Sequence, residues 1–211
     1  MKTALRIFTL FALFALPVAL SSSAQAEKTE KFNEDIKLVE TYLNQLTSAR
    51  ARFVQTTHDG TQLVGTFFLD RPGKLRFEYD DPIKDFVVAD GVFIYFYDAE
   101  LGEQTNAPIG QTLADFILRK DIKLSDDVIV ESIRRKGGLL QVQIVQASDP
   151  TAGSLTLGFE EEPFKLNKWR VVDGQGLITE VELFYLKTGI KHPNGLFTFQ
   201  KPDDGNPNYN E

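Results

Sequence analysis

The chain contains 211 residues, of which 42% are hydrophobic, and its formal net charge at pH 7 is −7. It has no cysteine, which excludes a disulfide framework and a lipid-modified N-terminal cysteine. The acidic balance argues against binding to nucleic acid, and against adhesion to an anionic membrane by charge alone.

The N-terminal segment predicts a secretory signal peptide. Two basic residues precede an apolar run from Ile7 to Leu20, which is shorter than the roughly 20 residues of a spanning helix. Ala24-Gln25-Ala26 has the small residues of a cleavage site. We therefore expect residues 1–26 to be removed and residues 27–211 to form one domain. An uncleaved membrane anchor is the alternative.

The processed domain should be more acidic than the full chain. Residues 1–26 hold two basic and no acidic residues, so their removal changes the net charge from −7 to −9. No later apolar run approaches spanning length. We expect a protein that is soluble in the periplasm or secreted.

Residues 28–48 predict an amphipathic helix. Its apolar positions follow the 4-3-4-3 spacing of one helical face and are Phe32, Ile36, Val39, Leu43 and Leu46. An ordinary helix packed on a sheet explains this pattern. A further role as part of a lid stays open.

From Arg50 onward, short apolar segments separated by turn residues predict strands. Asp59-Gly60, Asp90-Gly91 and Asp173-Gly174 are hairpin signals because Asp-Gly suits the positive φ of such turns. Eleven strands are expected: 51–57, 62–69, 74–79, 85–89, 92–98, 128–134, 139–145, 154–159, 166–172, 178–186 and 196–199. This succession indicates one highly curved antiparallel sheet or barrel.

Residues 106–127 interrupt the strands. Leu113, Phe116 and Ile117 lie at helical spacing, so a short helix is expected. Such an insertion must cross the sheet or cap its open end.

The sequence offers no constellation of catalytic or metal-binding residues. The two histidines, His58 and His192, lie far apart, and His58 falls in a predicted turn. No nucleophile elbow, P-loop or zinc-protease motif occurs. We predict neither an enzyme nor a cofactor or metal site.

The aromatic residues indicate a cavity for an apolar ligand. The segment 92–97 is apolar on both faces of its predicted strand, and Phe67-Phe68 is similar. One face can pack on the long helix, while the sparse helices leave the other without a second layer. Arg71 shares the face of Phe67 by strand parity, so its guanidinium must find acceptors or reach water. It lies either at the rim of the sheet or at the mouth of the cavity.

An ordered set of motifs resembles a known family. The set comprises Phe53-x-Gln55, Gly65 with Phe67, 71–79 (Arg-Pro-Gly-Lys-Leu-Arg-Phe-Glu-Tyr), Pro82, Asp90-Gly91, Tyr97-Asp98 with Leu101, and Phe197-x-Phe199 with Pro202. In this order they resemble the periplasmic outer-membrane lipoprotein carrier proteins, the LolA family. The resemblance extends over essentially all of the chain after residue 26.

The resemblance implies a mainly β fold with helices. The expected fold is an incomplete, unclosed antiparallel β-barrel, here of about 11 strands, with an α-helical lid over an apolar cavity. It implies that Arg71 holds the lid closed through hydrogen bonds to the lid backbone. It also places an apolar residue involved in transfer at Leu75 and a cavity-facing aromatic at Phe77. We expect the cavity to be lined by Phe53, Phe67, Leu69, Leu75, Phe77, Tyr79, Phe93, Tyr95, Tyr97 and Phe116.

The resemblance also implies the partners. The cargo would be acylated lipoproteins, received from an ABC transporter of the inner membrane in a Gram-negative bacterium. Delivery would be to an outer-membrane acceptor lipoprotein or to the outer membrane itself. The alternatives are a periplasmic carrier of another lipid or glycolipid, a peptide-binding interaction domain and, last, an enzyme. A monomer is expected.

Overall fold

The protein is mainly β. The structure, a computed structural model, describes residues 20–111 and 115–202. Within these residues eleven strands form one antiparallel sheet, accompanied by helix α1, a 3-10 turn and the short helix α2. The elements are α1 Leu20–Gln45, β1 Ser48–Thr56, β2 Gln62–Asp70, β3 Lys74–Tyr79, β4 Phe86–Asp90, β5 Phe93–Asp98, β6 Glu103–Pro108, the 3-10 turn Ile109–Gln111, α2 Asp115–Leu118, β7 Val128–Lys136, β8 Leu139–Gln146, β9 Gly153–Glu161, β10 Phe164–Asp173 and β11 Ile178–Thr188.

The sheet is unclosed, as predicted. Its strand order is β6-β5-β4-β3-β2-β1-β11-β10-β9-β8-β7, so among the described residues β6 and β7 are its two edges. All neighbouring strands are antiparallel. The expectation of an incomplete antiparallel barrel is confirmed at this level.

The number of strands agrees with the prediction, but two identities differ. Residues 196–199 were predicted as a strand and instead form a turn-rich segment. Strand β6 was not predicted, because Glu103–Pro108 is polar and almost fully exposed. An edge strand needs hydrogen bonds to one neighbour only and no apolar face, so hydrophobic alternation could not reveal it.

The sheet curves strongly. Strands β3 and β10 are four strand intervals apart, which would separate them by about 19 Å in a flat sheet. Nevertheless the rings of Phe77 on β3 and Trp169 on β10 lie only 6.1 Å apart between centroids. We call the face that carries these two rings the inner face, and the opposite face the outer face.

Helix α1 has one buried stripe. Val39, Leu43 and Leu46 are buried and Ile36 is half-buried, at the spacing predicted for this helix. Phe32 is 37% exposed, so the stripe begins at Ile36. Residues up to Glu34 belong to a different compact unit from those starting at Asp35, and the site described below lies in the second unit.

Most of the predicted signal peptide lies outside the described residues. The predicted cleavage site, Ala24–Ala26, lies within α1, and cleavage there stays a prediction. Among the residues that the structure describes, no helix has the length and hydropathy needed to cross a membrane.

Candidate functional site

The C-terminal end of helix α1 is capped by Arg71. The last carbonyls of a helix have no partner within it, and α1 has no glycine at its end. The Nη1 atom of Arg71 donates to the carbonyl of Leu43 and, at 3.1 Å, to that of Leu46. A cation at this position also interacts favourably with the helix dipole.

The same guanidinium caps the chain after helix α2. Its Nε and Nη2 atoms donate to the carbonyl of Arg119 at 3.0 and 2.7 Å, and Nη2 donates to that of Lys120 at 3.1 Å. The backbone N–H of Gly73 donates to the carbonyl of Leu118 at 2.8 Å. The turn 71–73 therefore holds the C-terminal ends of two helices, and the acceptors of these bonds are all backbone carbonyls.

The two helical segments are also joined directly to each other. Asn44 of α1 exchanges two hydrogen bonds with the backbone of Ile122, at 2.9 and 2.8 Å. The N–H of Leu124 donates to the Glu40 carboxylate at 2.7 Å. We call residues 35–45 and 115–124 together the lid, because these bonds and Arg71 tie them into one layer.

The other end of the lid is held by an ion pair. Asp35 is buried, with 6% of the residue exposed. Its two oxygens accept hydrogen bonds from Arg135 of β7 at 2.8 and 2.9 Å. Arg135 also contacts Glu161 at 3.0 Å, and the two carboxylates raise the pKa of its guanidinium. A buried carboxylate with this bidentate geometry fixes the start of the lid helix segment.

The inner face is built from aromatic side chains on β1 to β3. The ring of Phe53 meets those of Phe77 and Tyr79 edge-on, with centroids 5.1 and 5.4 Å apart. Gly65 makes this possible, because a Cβ at that position would lie 2.7 Å from the Phe53 ring and 2.1 Å from a backbone oxygen of Glu78. Phe53 is fully buried.

The remaining inner residues complete one continuous core. Phe67 contacts Phe77 at 5.0 Å and Trp169 at 5.5 Å between ring centroids. Leu69, Leu75 and Phe116 are buried in the same cluster as Val39 and Leu43 of the lid. The structure therefore brings six predicted residues together on one side of the sheet, under the lid: Phe53, Phe67, Leu69, Leu75, Phe77 and Tyr79. Phe116 belongs to the lid itself and packs in the same cluster.

Three residues of the predicted cavity lie on the other face. Tyr97 pairs with Phe86 in the sheet register and stacks on it at 5.1 Å, and Tyr95 stacks on Phe199 at 4.9 Å. Phe93 has the same strand parity, and its ring lies 6.2 Å from that of Tyr95. Because side chains alternate along a strand, the structure separates Phe93, Tyr95 and Tyr97 from the residues under the lid.

The outer face of these strands has its own cover. Phe86, Val88, Tyr97 and Phe197 form a second buried cluster, against which Phe199 packs. His192 donates from Nε2 to the carbonyl of Leu69 at 2.9 Å, and its ring contacts Phe68 and Phe197. We call residues 192–199 the strap. The strap covers the outer face of these strands. The expectation that this face is left open for an apolar ligand is therefore wrong.

Burial shifts the pKa of two groups in the site. It lowers the pKa of the Arg71 guanidinium, and the Asp121 carboxylate opposes part of this effect. An arginine nevertheless stays protonated in proteins. Burial raises the pKa of Tyr79 to about 12, so its hydroxyl stays neutral and donates to Gln55 at 2.9 Å.

Sequence reasoning missed several residues of the site. Trp169 fills the inner face between Phe67 and Phe77, and Tyr42 of the lid inserts edge-on against Phe159 and Phe164. Trp169 is the one tryptophan of the chain, which could have singled it out. The polar links through Asn44 and Asp35 carry no sequence signal, because their partners are 78 and 100 residues away.

The chain matches a family model over most of its length. The model is described as Outer membrane lipoprotein carrier protein LolA, and it matches residues 44–200. The chain belongs to this family. An outer-membrane lipoprotein carrier protein of Methylococcus capsulatus is 27% identical over 189 residues, which cover 85% of this chain and 88% of that protein. One from Legionella pneumophila (strain Paris) is 29% identical over 175 residues, covering 79% and 85%.

Among solved structures, a LolA superfamily protein of Nitrosomonas europaea is similar to the chain with a TM-score of 0.43. Its sequence identity is 8%, over 78% of this chain and 97% of that one.

Proposed function

We propose that the protein is a periplasmic carrier for lipoproteins. It would shield the acyl chains of lipoproteins released from the inner membrane and deliver these proteins to the outer membrane. The observation that supports this best is the lid: it covers an apolar inner face, yet Arg71 binds it through backbone carbonyls alone. Membership of the LolA family agrees with this function.

The polar attachment suits a lid that must open. Carbonyls that leave Arg71 can bind water instead, so each hydrogen bond to the guanidinium contributes only about 1.5–3 kcal/mol net. Burying an acyl chain gains about 0.8 kcal/mol per methylene. A few methylenes per bond therefore offset the loss of the Arg71 contacts, and the ligand can replace the lid on the inner face.

The lid borders a small cavity. A cavity of about 170 Å³ lies beside Phe116, bounded by Val128, Ile144 and Leu155. Pockets for drug-sized ligands usually have 300 Å³ or more, so a whole acyl chain does not fit in this cavity, and we propose that the lid moves when acyl chains bind. In this proposal Arg71 is the gate, and Phe53, Phe67, Leu69, Leu75, Phe77, Tyr79 and Phe116 contact the acyl chains after opening.

The proposed partners and location follow from this role. The cargo would come from a lipoprotein-releasing ABC transporter of the inner membrane. It would pass to an acceptor lipoprotein of the outer membrane or to that membrane itself. Removal of residues 1–26 as a signal peptide would release the carrier as a soluble periplasmic protein. Binding and release account for this function without a chemical step.

The test is to purify the protein from the periplasm of its host and measure its bound molecules by native mass spectrometry. We expect co-purifying acylated protein. Phe77 is half-buried on the inner face. Because Phe77→Gln makes this face more polar, it should reduce the amount of bound cargo severalfold. Leu101→Gln is the matched control, because Leu101 is 68% exposed in a turn and should leave the cargo unchanged. Finding free lipid or glycolipid instead of acylated protein would contradict the proposal and favour a different lipid carrier.

A further inference from the structure

Tyr185 of strand β11 has an unusual backbone conformation. Its φ is 56°, and it is the one non-glycine residue with a positive φ within the described part of the chain. The residue is 84% exposed. Left-handed backbone is unfavourable for a residue with a Cβ, and a bulky exposed side chain gains little packing in return.

A β-bulge places Tyr185 there. Arg52 of β1 pairs with Phe184, whereas Arg50 pairs with Lys187, so one β1 residue lies opposite both Tyr185 and Leu186. The left-handed position of such a bulge usually carries glycine. Stability alone would therefore favour glycine, and the ring at this position points to a role outside the fold.

The residues that pair on either side of the bulge combine apolar and cationic side chains. Phe184 is 39% exposed. Arg50 and Lys187 face each other across the two strands, and neither has a carboxylate partner in the described residues. The Arg50 guanidinium lies over the Phe68 ring, 5.5 Å from its centroid. Like charges directly opposite each other destabilise a sheet, and no carboxylate offsets this repulsion.

The acidic groups near this cationic pair in the register either contact other cations or lie further along the strands. Asp70 pairs with Ser48, two residues from Arg50 along β1, and contacts Lys74 at 3.9 Å. Asp80 is bound to Arg52. Glu180 is bound to Lys168 and Arg170. Glu182 pairs with Val54, which is four residues from Arg50 along β1. The end of the bulge with Tyr185 is therefore positive, although the whole chain carries a net charge of −7.

We propose that Arg50, Phe184, Tyr185 and Lys187 form a docking surface for a partner protein. The partner would offer an apolar groove for the Tyr185 ring and carboxylates for the two cations. Tyrosine and arginine are enriched among the residues that dominate binding energy at protein interfaces. An anionic membrane would suit the two cations, but the net negative charge of the chain opposes adhesion to it.

Charge complementarity would also orient the partner. An acidic surface is repelled by most of this chain and attracted by the cationic pair, which steers association towards the bulge. The docking surface lies on the β1–β11 pairing and contains none of the residues proposed to contact the acyl chains, so docking does not depend on the nature of the cargo.

The test places a photo-crosslinking amino acid at position 185 of the full chain in its host. We expect one protein adduct, whose cross-linked peptide contains carboxylates. The double charge reversal Arg50→Glu and Lys187→Glu should lower its yield at least tenfold. The same photo-crosslinker at Leu101, which is 68% exposed, is the control. Adducts with lipid, equal yields at Leu101, or a yield unaffected by charge reversal would overturn the proposal.

A second set of variants separates docking from folding. With the photo-crosslinker at position 184, Tyr185→Gly should lower the yield of the same adduct at least tenfold, while Tyr185→Phe retains it. Tyr185→Gly should leave the melting temperature unchanged or raise it, because glycine suits the left-handed backbone. A clearly lower melting temperature would show that the ring is structural and overturn the docking role. The cargo that co-purifies with Tyr185→Gly should be unchanged. This measurement distinguishes loss of docking from loss of the proposed carrier function.

Discussion

The two faces of strands β3 to β5 are covered in different ways. The inner face lies under the lid, which is held to the turn 71–73 by hydrogen bonds to backbone carbonyls. The outer face lies under the strap, whose rings stack on the sheet: Phe199 on Tyr95 at 4.9 Å and, tilted, on Phe86 at 5.8 Å.

Under the proposed function, this difference distinguishes a removable cover from a permanent one. Carbonyls released from Arg71 regain hydrogen bonds from water, and an acyl ligand can cover the apolar residues of the lid and inner face that opening uncovers. Rings exposed to water regain nothing and lose the transfer free energy of their apolar surface. A carrier needs both kinds of cover, because ligand exchange should open one face without unfolding the other.

The strongest test of this comparison is Phe197→Ala in the strap. Phe197 is buried, with 8% exposed, in the cluster with Phe86 and Tyr97. Its truncation should lower the free energy of unfolding by about 3 kcal/mol, since it removes a buried ring and leaves a cavity. Denaturant unfolding measures this change, and Leu101→Ala, at an exposed turn residue, should change stability by less than about 0.5 kcal/mol. Loss of cargo by folded Phe197→Ala would contradict a purely structural role for the strap.

The ion pair at the start of the lid should have the next largest effect. Asp35→Asn keeps the size of the side chain but removes the charge that binds Arg135 bidentately. We expect the free energy of unfolding to fall by about 2 kcal/mol, the value of a hydrogen-bonded charge that is largely shielded from water. The control repeats Asp35→Asn in a protein that already carries Arg135→Gln. If the free energy of unfolding falls equally in both backgrounds, the two residues do not interact, which would contradict their role in anchoring the lid.

Arg71→Leu tests directly whether the lid over the inner face opens. The variant makes the mouth of the inner face more apolar and removes the bonds that favour the closed, empty lid. We expect transfer of bound lipoprotein to phospholipid vesicles to become about tenfold slower, which corresponds to about 1.4 kcal/mol. Arg134→Leu is the control, because Arg134 is an exposed residue of β7. Unchanged release from purified, loaded Arg71→Leu protein would reject the gate role.

The smallest effect is expected at Tyr42. Its ring packs edge-on against both Phe159 and Phe164, and burial raises the pKa of its hydroxyl. Tyr42→Phe should change the free energy of unfolding by no more than about 0.5 kcal/mol, because the ring contacts remain. A loss above 1 kcal/mol in denaturant unfolding would show that the lid depends on this hydroxyl as well as on Arg71.

The sequence predicted the architecture better than the residues of each face. Apolar alternation and turn residues located ten of the eleven described strands and the unclosed antiparallel arrangement. Parity along one strand placed Phe67 and Leu69 together, but parity cannot say which face of β5 is the inner one. That depends on the pairing of Ile94 with Ala89 and of Tyr97 with Phe86, which is a property of the assembled sheet.

The segments that cover the two faces of the sheet, the strap and the lid, were the hardest features to predict from the sequence. Phe197 and Phe199 have the spacing of a short strand, yet they pack on the outer face as a strap. A covering segment can bury every second side chain as a strand does, so this spacing does not distinguish the turn-rich strap from a strand. The contacts of Arg71 to carbonyls were expected from the resemblance to the LolA family. Its acceptors at Leu46 and Arg119 could not be derived from spacing.

The missing pairing between β6 and β7, within the described residues, has a mechanical consequence. In a closed barrel, the number of strands and their stagger fix the circumference. A sheet with two free edges has no such constraint. Its circumference can therefore increase or decrease when the sheet bends, and the hydrogen bonds between its strands stay intact. Under the proposed function, the space on the inner face is therefore adjustable, and one scaffold would enclose cargo with fewer or more hydrocarbon tails.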